Sequence, residues 1–184
     1  MAISDDLVGD LADGFEHLFK EYVTFVTSCA IQAAVQHVSE VASYRLIFFD
    51  SHSVFYGSLY VRDVENTHIR PALKALKQNL TLLCAILTDK AQPLALKEVM
   101  KASFESYLMV LLAGVSKRIF SRIFSRADHQ IIEEEFESLK RLFCTCGEGL
   151  IVEDVVDTEA ETVEGVIALM GQSTEQLAEE HCGL

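Results

Sequence analysis

The chain has 184 residues, half of them hydrophobic, with 15 basic against 28 acidic side chains and a net charge of −13. That is enough apolar sequence for one sizeable core, and a negative field of this size disfavours nucleic acid as a partner. No run reaches the ~18 apolar residues of a membrane span, and "MAISDDLVGD" is acidic where a secretory signal is basic, so a cytoplasmic protein is expected.

Residues 5–43 read as one long helix or a broken pair. Leu7, Leu11, Phe15, Leu18, Phe19, Tyr22 and Val26 recur at helical spacing. "TFVTSCAIQAAVQHV", Thr24 to Val38, is apolar on nearly all sides, which predicts burial between several helices. "RLIFFD", Arg45 to Asp50, has strand-like composition but no strand partner nearby, so it is read as a helix end. In the turn-rich segment Asp50 to Tyr60, the rings of Phe55, Tyr56 and Tyr60 are expected to pin the chain to the core.

The next helix starts near Pro71, tolerated in a first turn because its missing N–H costs nothing there. Its stripe is Leu73, Leu76, Leu80, Leu83 and Leu87. Thr88 or Asp89 is then a candidate cap, with Pro93 early in a helix that buries Leu96, Met100, Phe104, Tyr107, Leu108, Leu111 and Leu112 and stops at Gly114. The segment "SKRIFSRIFSRAD" doubles a tetrad and carries Lys117, Arg118, Arg122 and Arg126. On a helix the three arginines share a face, which makes the four side chains candidate contacts for a partner or for anionic lipid. Asp128 is read as the N-cap of "HQIIEEEFESLKRLF", whose acidic start and basic end suit the helix dipole. "VEDVVDTEAETVEGVIALM" gives a further helix, and Ser173 or Thr174 is a weak start signal for a last one.

Charge is unevenly placed. Residues 1–126 balance 13 basic against 13 acidic side chains, whereas 127–184 hold 2 against 15. Glu153, Asp154, Asp157, Glu161 and Glu164 form a candidate acidic surface for a basic partner, set against the plainer role of a solvated face.

The fold expected is all-α, an antiparallel bundle of about five to six helices. It is read as one domain over 1–184, with N-terminal helices in 1–50, central helices in 63–126 and acidic helices in 128–184. No solenoid period is visible beyond the IFSR doubling.

No cofactor, metal or catalytic constellation is indicated. The six histidines include no HExxH, and "HQIIEEEFE" lacks the paired ExxH elements of a di-iron bundle. "CGEGL" lacks the preceding strand of a nucleotide loop, and Cys144 has no base brought to it. The odd set Cys29, Cys84, Cys144, Cys146 and Cys182 reads as buried or semi-buried free thiols rather than a disulfide framework.

Two long stretches carry a resemblance, "LYVRDVENTHIRPALKALKQNLTLLCAILTDKAQPLALKEVMKASFESYLMVLLAG" and "HQIIEEEFESLKRLFCTCGEGLIVEDVVDTEAETVEGVIALMGQSTEQLAEE". Both resemble the C-terminal second homology region of plant MUN-domain proteins, relatives of Munc13. The resemblance covers most of the chain after about Arg45. It implies part of an elongated helical rod of the tethering type, without catalytic residues. It also implies a non-enzymatic role in vesicle tethering, priming and exocytic delivery to the plasma membrane. The implied partners are SNARE proteins and tethering factors, with peripheral association with vesicles or the plasma membrane. The alternatives are a truncated regulator that competes or dimerises with a full-length relative, and a phospholipid-binding helical domain. The sequence departs from the family pattern at Val115, where a second glycine is expected, and the IFSR doubling adds about one helical turn. A swapped homodimer is one consequence of such an insertion.

Overall fold

The computed structural model describes residues 5–55, 69–116, 126–145, 147 and 149–172, with no side-chain detail at 5–15, 113–116 and 126–127. Among them lie six α-helices and one π-helical segment: α1 (Asp5–Tyr44), the π segment (Arg45–Asp50), α2 (His52–Phe55), α3 (Arg70–Ile86), α4 (Gln92–Ser116), α5 (Arg126–Phe143) and α6 (Glu153–Gly171). No strand occurs among the described residues, only an isolated bridge between Cys144 and Ile151. The all-α architecture is as the periodicity predicts.

The chain divides into two compact units, Met1–Val38 and Ser39–Leu184. In the first unit α1 is a single helix rather than a broken pair. Here one sequence expectation is overturned. Within Thr24–Val38, the side chains of Phe25, Val26, Ile31, Val35 and Val38 are exposed, not buried between helices, and Leu18, Phe19 and Tyr22 before them are exposed too. An apolar pattern on all sides states that a helix needs cover, but the unit holds no second described helix to supply it.

The second unit is built around α4. Val99, Met100, Ala102, Ser103, Phe104, Ser106, Tyr107, Val110 and Leu111 are all buried, on more than one face of the helix, because α6, the π segment, α2 and α3 all pack against it. Leu112 is exposed, contrary to its assignment to the buried face. α5 lies against both α6 and α3. Its stripe Ile132, Phe136, Leu139 and Phe143 is fully buried. Phe136 stacks on Tyr107 (ring centroids 5.3 Å apart) and meets Phe104 edge-on (5.2 Å).

Local starts and stops follow from backbone chemistry. Pro71 sits in the first turn of α3 as expected. The Thr88 carbonyl accepts from the Ala91 and Gln92 N–H groups, and the Gln92 side-chain amide donates to the carbonyls of Cys84 (3.0 Å) and Leu87 (3.2 Å). That amide satisfies carbonyls orphaned where α3 ends. Gly114 is not a stop, since α4 runs on to Ser116, and one glycine costs a helix only ~1 kcal/mol. α5 begins at Arg126, so Asp128 lies inside its first turn rather than capping it, where a carboxylate still favours the positive helix end. The IFSR copies as far as Ser125, with Tyr56, Tyr60, Ser173 and Thr174, fall outside the described residues.

"RLIFFD" does end a helix, but in π geometry: the Ser51 N–H donates to the Leu46 carbonyl five residues back (3.0 Å). The wider turn buries Ile47 and leaves Phe49 outside. Tyr44 stacks on Phe48, and its hydroxyl donates to the Glu105 carboxylate of α4. That bond, with burial second, pushes the Tyr44 phenol up to about 12. Phe55 is buried and anchors α2.

Candidate interaction surfaces

The acidic residues of α6 do two jobs that the sequence does not separate. Glu159 faces α4 and lies 3.4 Å from Lys97 and 3.5 Å from Lys101. On the side facing α5, Lys140 places its Nζ 2.6 Å from Glu164, 3.0 Å from Asp157 and 3.2 Å from Glu137. Only 14% of the Lys140 side chain is exposed. Burial pulls its ammonium down, yet the bonds to Glu164, Asp157 and Glu137 outweigh this and hold it above the ordinary lysine value. Of the five predicted surface residues, Asp157 and Glu164 therefore serve as partners of Lys140. Glu153 and Asp154 are exposed in the first turn of α6, where acidic groups suit the dipole, and Glu161 is exposed one turn beyond Asp157.

Lys140→Met should destabilise the fold by about 1–2 kcal/mol at low salt, because three carboxylates lose their shared cation. The loss should shrink as salt screens their repulsion. Urea melts at two ionic strengths measure this, and equal losses at both would refute it. A lysine raised in the folded state stabilises fully below its unfolded value and loses that contribution only as pH climbs through the raised one. Its effect should thus be flat across neutral pH.

Glu135 is the residue that sequence reasoning misses. It is buried, and its Oε1 accepts the Ile69 N–H at 3.0 Å. Ile69 precedes α3, so a carboxylate from α5 closes the N-terminus of α3, where an orphaned donor and the helix dipole both favour an anion. The signal was present. Of the run Glu133–Glu135, only Glu135 keeps the register of Ile132, Phe136 and Leu139. Similarly, the buried Tyr107 hydroxyl donates to the Ile132 carbonyl at 3.0 Å, tying α4 to α5.

Two recesses flank α5. One, of about 680 Å³, lies between α5 and α6, with Glu133, Glu137 and Glu164 around Phe136 and Ile167, and borders the buried, unpartnered Oε1 of Gln172. The other, of about 280 Å³, is mainly apolar and is lined by Leu80, Cys84, Leu142 and Leu150. Cys84 is half-buried and Cys144 buried, but Cys29 is exposed, correcting the expectation for that thiol. Among the described residues no group of three His, Cys, Asp or Glu side chains is placed to hold a metal ion, and no helix is long and apolar enough to cross a membrane. Of the basic cluster, Lys117, Arg118 and Arg122 lie outside the described residues. Arg126 opens α5 without side-chain detail.

The comparisons with known proteins bear on most of this fold. A family described as PATROL1-like, TPR repeats matches residues 29–182. The chain belongs to that family. The match takes in α2 to α6 and the C-terminal part of α1. A relative, Protein unc-13 homolog of Arabidopsis thaliana, is 29% identical over 150 residues, 82% of this chain but 13% of the relative. The chain thus spans about an eighth of that protein's length. No solved structure matches. Neither description names an enzyme.

Proposed function

We propose that the chain is a non-enzymatic protein-interaction module of vesicle trafficking, acting in tethering or priming and in exocytic delivery to the plasma membrane. The observation that carries this reading is the family match over residues 29–182, joined to the similarity with a protein named as an unc-13 homolog. In finer terms, the chain corresponds to the C-terminal second homology region of a MUN-domain protein. A helical unit with buried cross-links and exposed Glu153, Asp154 and Glu161 suits a protein-binding role. Its partners would be SNARE proteins or tethering factors, met at a membrane surface.

The test is affinity capture from cell extract on the immobilised chain, followed by mass spectrometry. SNARE proteins or tethering subunits should be enriched over a charge-reversed control with Glu153, Asp154 and Glu161 changed to Lys. Their absence would reject the reading. Recovery of a longer relative alone would point instead to a regulator that competes with it.

A further inference from the structure

The exposed face of α1 has a register of its own. Leu18, Tyr22, Phe25 and Cys29 follow one another by four, three and four residues, the a and d spacing of a coiled coil. Phe19 and Val26 each follow a d position, so they widen the seam on one side. In the sequence the same spacing reaches back through Phe15 and Leu11 to Val8. All six seam residues from Leu18 to Cys29 are exposed, Tyr22 by 66% and Phe25 by 67%. The charged residues Glu16 and Lys20 sit on other helix positions and pair with each other at 2.6 Å.

We propose that this seam pairs α1 with α1 of a second copy of the chain. Two observations favour that occupant. The seam itself is uncharged, so two copies can close on it without burying an ion, which is the costly step in joining helix faces. Its exposed side chains amount to on the order of 500 Å² per copy, near the low end of specific pairings, which bury about 600 Å² per partner. A twofold pair needs only that one patch complement itself. The pairing is independent of the trafficking role and adds a second copy to whatever partner the second unit binds.

Sedimentation velocity on the intact chain tests it over about 5 to 200 µM, the range in which an interface below standard size dissociates. The expected result is a mass that rises towards twice the monomer's. Tyr22→Glu with Phe25→Glu should hold the mass at the monomer value throughout, whereas Thr27→Glu, on another face of the helix, should leave the dimer intact. A monomer at all concentrations, or a dimer that survives the double substitution, would overturn the proposal. So would a monomer that floats with neutral phosphatidylcholine vesicles through Tyr22 and Phe25, since the seam would then be a membrane contact.

Discussion

Phe136→Ala should lower stability by about 3–5 kcal/mol, because a fully buried ring leaves a hole that its neighbours fill only in part. Phe136 is 1% exposed and touches two other rings, Phe104 and Tyr107, that hold α4 to α5. For a unit of this size each kcal/mol moves the midpoint by roughly 2–4 °C, so a drop near 10 °C is expected. Near-ultraviolet circular dichroism should weaken as well, since the Tyr107 ring loses its stacking partner. Phe49→Ala is the control: its ring is 77% exposed, and surface changes stay within about 0.5 kcal/mol. Equal melting of the two variants would show that the aromatic cluster is not the centre of the core.

Gly149→Ala and Gly165→Ala should shift stability in opposite directions. A Cβ at Gly149 would collide with both the carbonyl carbon and the oxygen of Phe143, which are backbone atoms without a rotamer to escape into. The turn around it is closely bonded: the Gly149 N–H donates to Cys144, Ile151 to Phe143 and Thr145 to Ile151, at 2.9, 2.9 and 2.8 Å. Making room for a methyl group must break this turn, at an expected cost of about 3 kcal/mol or more. At Gly165, on the exposed side of α6, nothing lies within 4 Å of an added Cβ. Alanine there should stabilise by up to ~1 kcal/mol through helix propensity alone. Denaturant midpoints of the two variants measure the contrast. A Gly149→Ala protein as stable as the parent would mean that the turn is looser than its hydrogen bonds imply.

The acidic third shows what charge placement alone leaves open. Fifteen carboxylates in residues 127–184 read as one surface. Folded, Glu135 closes the start of α3, Glu159 binds α4, and Glu137, Asp157 and Glu164 surround Lys140. Sequence spacing groups Asp157, Glu161 and Glu164 on one helix face, yet it cannot say that Lys140 of another helix stands opposite two of them. Pairing with Lys140 rather than exposure separates Asp157 and Glu164 from Glu161, since Asp157 is exposed as well.

Local chemistry legible in the sequence determined the helices themselves: Pro71 in the first turn of α3, the stripe Leu76 and Leu80, the buried face Met100, Phe104, Tyr107 and Leu111, and the dipole order of α5. These depend on neighbours within a turn or two, which a linear chain already contains. Tertiary structure decided the rest. It fixed which carboxylates meet cations, the π turn that buries Ile47, and the closing of the Cys144–Ile151 turn against Phe143. It also decided that Leu18, Tyr22 and Phe25 stay exposed. The reason is one of distance along the chain: periodicity tells a helix which face must be covered, whereas the identity of the cover depends on residues far away or on another molecule.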